Sequence, residues 1–420
     1  MYSRKRFDIG WSDVVAGMVA CVCSRRRRKL QHEVESWFAP AQRDGADHDA
    51  VVCLSIRSGF DLYLRVLGLP EGSEVLVSAL TIPDMWRLLE HHGLVPVPVD
   101  LDPRTLAPCA ESLAQAVTER TRAVLVAHLM GIQLDLGELI AFAKGRGLLV
   151  WEDCAQAFSD RSFRGHSGAD LSMFSFGPIK TASALAGAVI VMRDQVVRLH
   201  WREVHARYPV QSTGSYFLRL LKYGFLKWLT MPLPYAVFVR GCEWLGVSVD
   251  GFVQGTVRGF IGGEFFQRIR HAPCSALLSV LARRLRSADG TGIHERREKA
   301  ERLMDCLSGV CFVPGSEAGV HTHWIFVVES ERPDALVRML RRKGFDSTRT
   351  ATMRTVPLPE GSRAALPRRA IEMLDRLVYL PVYREVPEAE LARLAGVLVE
   401  FTGADGGSGS SMPSESGAGC

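Results

Sequence analysis

No stretch of this 420-residue chain supplies the roughly 20 uninterrupted apolar residues that a membrane-crossing helix needs. Its 10 cysteines do not fall into paired CxxC units with histidine partners. That argues against a zinc site or any other metal centre and against a disulfide framework, so a reducing cytoplasm is the expected compartment. An excess of one sign of charge is nearly missing as well. The net charge is +5, with the positives gathered locally from Arg25 to Lys29, which is not the profile of a nucleic-acid binder. The apolar run Trp11 to Cys23 after a basic start has the look of a secretory leader. Asp13 interrupts it, however, four arginines follow, and no small-residue cleavage site fits. Internal repeats are absent. What remains is 47% apolar and 23% charged residues with 38 Gly and 20 Pro, a globular chain long enough for about two to three domains at ~150 residues each.

From Val51 onward short apolar runs alternate with amphipathic stretches. Val75–Val77, Val95–Val99, Ala123–Val126 and Leu148–Trp151 read as strands buried on both faces. Gly59–Leu67, Asp84–His92, Glu111–Val117 and Leu136–Lys144 read as the helices between them. This spacing is that of βαβ units, so the expected fold class is α/β, a mostly parallel sheet between helices. After Asp194 the alternation breaks down. Ala276–Leu307 then reads as long helix with a gap at Gly290. A βα pattern returns with strands Trp324–Val328 and Val378–Pro381 and helices Pro333–Lys343 and Glu388–Phe401. The expected organisation is an N-terminal helical and basic segment (1–50), a large domain (51–207), an aromatic and basic insertion (208–275), a helix with a small C-terminal α/β domain (276–402), and a Gly/Ser-rich disordered tail (403–420).

Three pieces of the large domain carry chemistry. Trp151–Ala157 places Asp153 and Gln156 directly after a buried strand, where open α/β sheets bind ligands. Phe174–Lys180 puts the hydroxyl of Ser175 and the amine of Lys180 five residues apart in a Gly/Pro loop. Arg57-Ser58-Gly59, at a helix start, offers backbone N–H groups to an anion. Each has a plainer explanation as a cap, a solvated charge or a surface lysine.

Order and context favour the chemical reading, because these pieces resemble the nucleotide-sugar aminotransferases, pyridoxal-phosphate enzymes of the aspartate-aminotransferase fold (fold type I). The resemblance runs from about Val51 to Asp194 and returns more weakly from Ala276 to Phe401. It rests on Leu67–Val77, Val99–Asp102, His128–Gly131 with Asp135, Glu152–Ala157, Phe174–Phe176 with Lys180, and Leu380–Tyr383. It implies that Lys180 carries pyridoxal 5'-phosphate covalently and shuttles the proton, an amine that must be neutral part of the time. Asp153 would pair with the protonated ring nitrogen. Gln156 would approach the ring hydroxyl, and Ser175, Ser58 and Gly59 would hold the phosphate. A loose alignment puts Arg270 near the Asn that the family donates from a partner subunit.

Departures accompany these matches. Phe60 stands where the family has Thr, Ile82 where an aromatic stacks on the cofactor, and Thr181 where Asn is common. A related group that replaces the lysine by His carries out dehydration, so Lys180 favours amino transfer. The resemblance implies a homodimeric, cytoplasmic transaminase of polysaccharide biosynthesis. It would move an amino group from an amino acid such as glutamate to a keto-sugar on a nucleotide or other carrier. The alternative is a weakly active or inactive member that binds a membrane or a partner. That alternative draws on Ser215–Val247, where Arg219, Lys222 and Lys227 fall on one helical arc among apolar residues. Such a segment is either buried packing or a dimer contact, or a peripheral membrane contact.

Overall fold

The computed structural model describes residues 1–4, 6–23, 26–39, 49–246, 264–349 and 352–406. Arg25, residues 247–263 of the insertion and 407–420 of the tail lie outside the described residues. The chain opens with helices α1 (Trp11–Val22) and α2 (Arg27–Trp37). Strands β1 (Ala50–Cys53), β2 (Glu74–Ser78), β3 (Leu80–Thr81), β4 (Val95–Val99), β5 (Thr121–Ala127), β6 (Ile132–Gln133), β7 (Leu149–Asp153), β8 (Leu171–Ser175) and β9 (Ala188–Met192) follow. Seven of them form one sheet in the order β1-β9-β8-β7-β5-β2-β4. From β8 to β4 every pairing is parallel, while β9 runs antiparallel to both β8 and β1. Pro96 and Pro98 fit because β4 is an edge strand. Two residues apart, their missing N–H groups fall on the same, outer side.

Successive residues of the strands feed opposite layers. Trp151 points to the layer of α3 (Ile56–Leu67), α4 (Pro83–His91) and α7 (Gln195–His205), and its neighbour Val150 to the layer of α5 (Ala110–Ala116) and α6 (Gly137–Lys144). On that second face, over β1, β9 and β8, lie α1, α2, α8 (Thr213–Leu229) and the helix Ser275–Arg286, around Phe38, Phe174, Leu220 and Leu277. The N-terminal segment and the first helix of the insertion are therefore built into the large-domain core. Asp13, the acid that interrupts the N-terminal apolar run, accepts from Arg283 at 2.7 Å and Arg284 at 3.0 Å. A second core begins beyond Gly290. It joins the helices Thr291–Cys306, Pro333–Arg342 and Glu388–Gly406 to the antiparallel pair Phe326–Glu329 and Leu377–Leu380.

Three expectations need correction. Helix α3 starts at Ile56 rather than Gly59, because the Ser55 hydroxyl caps it by accepting the Ser58 N–H at 3.2 Å. The last helix runs to Gly406, so residues 403–406 are helical rather than tail. The basic arc of the insertion is not a surface feature either. Arg219 donates to the Leu185 carbonyl at 3.1 Å, and buried Lys227 lies 3.4 Å from the Phe7 carbonyl, which leaves Lys222 as the exposed member. Beyond α8, helix α9 (Pro232–Trp244) packs back on it.

Candidate active site

The carboxyl ends of β7 and β8 deliver Asp153 and Ser175. Ser175 Oγ accepts the Gly177 N–H at 3.4 Å, and the Lys180 N–H closes the turn on the Gly177 carbonyl at 3.0 Å. A side chain on Gly177 would sit 3.6 Å from Ser175 Oγ and 3.9 Å from Lys180 Cγ, so hydroxyl and lysine flank one small gap. The loop is fixed from behind by Asp8, whose carboxylate accepts the Ala182 N–H at 2.7 Å.

The half-buried Lys180 ammonium is brought down to about 8. Burial is the main cause, the Asp153 carboxylate opposes it, and the Arg57 guanidinium adds to it. Burial likewise pushes the Asp153 carboxyl up, against the Ala155 N–H at 3.0 Å and the nearby charges of Lys180 and Arg57. Lysine, acid and arginine therefore form one electrostatic unit from β7, the β8 loop and the first turn of α3. Arg57 itself is held by Asp84 at 2.6 Å.

The remaining expected residues lie in different settings. Gln156 Oε1 accepts the Met130 N–H at 2.9 Å, bracing the turn after β5. The N–H groups of Ser58 and Gly59 are engaged by Ser55 within the first helical turn. The N–H groups that a helix leaves without an intrahelical partner here are those of Ile56 and Arg57, ahead of the expected pair. Gly59 serves packing, since a Cβ there would lie 2.1 Å from Ile190 Cδ1 and 2.8 Å from Cys53 Sγ. Arg270 pairs with Asp61 at 2.9 and 3.0 Å and does not join the charges acting on Lys180.

Sequence reasoning passed over Trp324. Its indole N–H donates to the Ile179 carbonyl at 2.9 Å, and the Lys180 ammonium stands 4.2 Å from the ring centroid. The neighbouring Thr322 donates its N–H and hydroxyl to the Gly131 carbonyl at 2.7 and 2.9 Å. Gly131 has φ +103°, and a Cβ there would lie 2.5 Å from the backbone nitrogen of Trp324, so only glycine lets this strap close.

Beneath the site, His128, Glu152 and Cys154 are buried with potential ligand atoms within 4.8 Å of one another. His128 Nδ1 accepts the Leu134 N–H, which fixes the tautomer so that Nε2–H donates to Glu152 at 3.1 Å. Glu152 also accepts from Ser172 and the His166 N–H. The histidine and carboxylate atoms are thus engaged in joining strand ends.

Residues 38–215 match the model of the DegT/DnrJ/EryC1/StrS aminotransferase family. The chain is 33% identical over 156 residues to the GDP-perosamine synthase of Escherichia coli O157:H7, covering 35% of this chain and 43% of that protein. It is 25% identical over 361 residues to the dTDP-4-dehydro-2,3,6-trideoxy-D-glucose 4-aminotransferase of Saccharopolyspora spinosa, covering 84% of each. In relatives that share a third or more of the aligned residues, the match spans less than half of their length. Among solved structures, the aminotransferase TlmJ from Streptoalloteichus hindustanus superposes with a TM-score of 0.69 at 20% identity, over 96% of this chain and 99% of that one. The likeness shows the α/β fold across both cores.

Proposed function

Residues 38–215 match the DegT/DnrJ/EryC1/StrS aminotransferase family, and from that premise we propose that the chain is a member of it and a pyridoxal-phosphate-dependent transaminase. It takes the amino group of an amino acid, with glutamate the leading donor, and passes it to a keto-sugar carried on a nucleotide or similar group. The observation that carries this reading is Lys180, an amine brought to about 8 beside Asp153. A lysine with an ordinary value would be almost wholly protonated at neutral pH, whereas this one is neutral often enough to attack a carbonyl and to move protons.

The residues present fit the cofactor. Ser58 Oγ and Thr181 Oγ1, in the first turn of α3 and next to Lys180, are buried with no hydrogen-bond partner among the described residues. Asp153, raised by burial, is a carboxylate that a further cation would stabilise. Pyridoxal phosphate supplies, when bound, an electron sink for the carbon that exchanges its amino group. Asp153 would hold a protonated ring nitrogen, Gln156 would offer its amide N–H groups to a ring oxygen, and Lys180 Nζ would carry the proton. The first turn of α3 with Arg57, Ser58 and Ser175 would receive the phosphate. Gly59 shapes that turn through packing. We read the protein as a homodimer in the cytoplasm; the nine described cysteines, all free, suit a reducing compartment.

Borohydride treatment of protein incubated with pyridoxal phosphate tests the reading. Peptide mass mapping should find the cofactor mass on Lys180 and none in the Lys180→Ala variant. A label confined to other lysines, or no label, overturns it. Turnover is then followed as 2-oxoglutarate released from glutamate with nucleotide-linked keto-sugars. The non-catalytic alternative is not favoured, because Lys180 and Asp153 are both present and electrostatically coupled.

A further inference from the structure

Helices α1 and α8 turn an unusual face to solvent. They pack on each other through Val14 and Gly17 against Leu220 and Gly224, and both rest on the helix Ser275–Arg286, so their outer sides point the same way. On an ordinary surface helix that outer side is polar. Here it carries Val15 and Val19 on α1 and Leu218, Leu221, Phe225 and Trp228 on α8, each between 45% and 66% exposed. A contiguous apolar patch of this kind marks an interaction site.

We infer that this face lies on an anionic phospholipid surface, as a helix pair resting in the interface without crossing it. No helix among the described residues is long and apolar enough to cross a membrane. The charge pattern selects the occupant. Lys222 is the one charged residue among the exposed positions of the two helices, and α1's acid, Asp13, is turned inward onto Arg283 and Arg284. Where α1 ends, the exposed Arg26, Arg28 and Lys29 begin α2. An apolar stripe with aromatics, free of acids and bordered by basic residues, matches acyl chains beneath anionic headgroups. Arg219 and Lys227 take no part, since they point inward. The inference is independent of the transaminase reading.

The test is co-sedimentation of the full chain with vesicles of 30% phosphatidylglycerol in phosphatidylcholine, and with phosphatidylcholine alone. Light scattering is run in parallel. Wild-type protein should pellet with the anionic vesicles, bind the neutral ones more weakly, and lose part of its binding as salt rises. The variant Val15→Ser/Val19→Ser/Leu221→Ser/Phe225→Ser should bind at least tenfold more weakly. Its circular dichroism and melting should stay like wild type, because all four positions are exposed. Lys222→Gln should weaken binding to the anionic vesicles only. Wild-type protein left in the supernatant at low salt overturns the inference, as does a quadruple variant that pellets like wild type. A quadruple variant that changes from dimer to monomer overturns it too and makes a second copy of the chain the occupant. If the quadruple variant misfolds, the double variant Val19→Ser/Phe225→Ser takes its place under the same criteria.

Discussion

Lys180 and Trp324 meet twice: the ammonium stands 4.2 Å from the indole centroid, and the indole N–H is bonded to the carbonyl of Ile179, immediately before the lysine. The tryptophan leads into the strand Phe326–Glu329 of the second core, while the lysine sits in the loop that follows β8 of the large-domain sheet. One side chain therefore fixes both the backbone and the amine of the lysine loop, and couples the position of that amine to the packing of the two cores.

Replacing Trp324 separates the two contacts. Trp324→Phe keeps a ring near the ammonium but loses the N–H, so the Lys180 amide, bonded to the Gly177 carbonyl, should exchange hydrogen faster while the overall fold is retained. Trp324→Leu should show the same acceleration and also lose the cation–π attraction, worth about 1 kcal/mol. Amide exchange followed by mass spectrometry checks this; unchanged exchange in both variants would mean that the indole is only a cover.

Asp153 and Arg57 act on Lys180 with opposite signs, and the two substitutions should show it. Asp153→Asn removes the charge that favours the ammonium, so the value of about 8 should fall. Arg57→Gln removes a repulsion, so it should rise. The pH dependence of labelling by an amine-reactive reagent in cofactor-free protein reads both. Shifts in the same direction would break the electrostatic account.

The same lysine has a stability consequence. Its folded value of about 8 lies below the ordinary 10.5, so the unfolded chain binds more protons between these pH values and stability rises with pH across that window. Below about 8 the cost of holding the ammonium is fully present. Lys180→Met in cofactor-free protein should therefore be more stable than wild type at pH 7, by roughly 2 to 3 kcal/mol at most. The gap should close toward pH 10.5 in urea titrations at several pH values.

Strands β2, β4, β5 and β7 were legible because buried parallel strands are continuous apolar runs, and the chain positions of Asp153 at the end of one such run and of Ser175 and Lys180 in the loop after another were legible on the same ground. The register of α3 was not, since both Ser55 and Ser58 look like caps and only the hydrogen bond between them shows which one is. Trp324 carries no local signal: it is an isolated tryptophan 144 residues beyond Lys180, brought back by the strap onto Gly131. The helical wheel of α8 put Arg219, Lys222 and Lys227 on one arc, but the fold splits them, with Arg219 and Lys227 turned inward and Lys222 left exposed. The wheel could not tell that the chain entering α1 covers Lys227, whose ammonium lies 3.4 Å from the Phe7 carbonyl and 6.0 Å from the Trp11 ring centroid.

Gly59 separates packing from anion binding. Gly59→Ala forces a methyl into Ile190 and Cys53 and should destabilise the protein by roughly 2 kcal/mol. Adding Ile190→Val, which removes the closest atom, should restore part of that. Affinity for pyridoxal phosphate should change little in the rescued double variant; a large loss there would return Gly59 to the cofactor site.

Arg270 makes the last distinction, between a residue of the site and a brace for α3. Burial alone would raise the Asp61 carboxyl, but hydrogen bonds from His92 at 3.0 Å and from Arg270, together with their charges, outweigh it and hold the carboxyl at about 2. A carboxyl held below its ordinary 3.8 adds stability that is fully present above that pH. The contribution is lost as pH falls through about 2. Over this interval it amounts to about 2 kcal/mol. Asp61→Asn should lower stability at pH 7 and flatten the acid limb of the stability curve between pH 4 and 2. Arg270→Ala should do the same to a smaller degree, because His92 remains. Neither change should alter borohydride labelling of Lys180, since neither charge reaches that amine. Loss of labelling in folded Arg270→Ala would show instead that the guanidinium serves the cofactor, and would reinstate the role its alignment suggested.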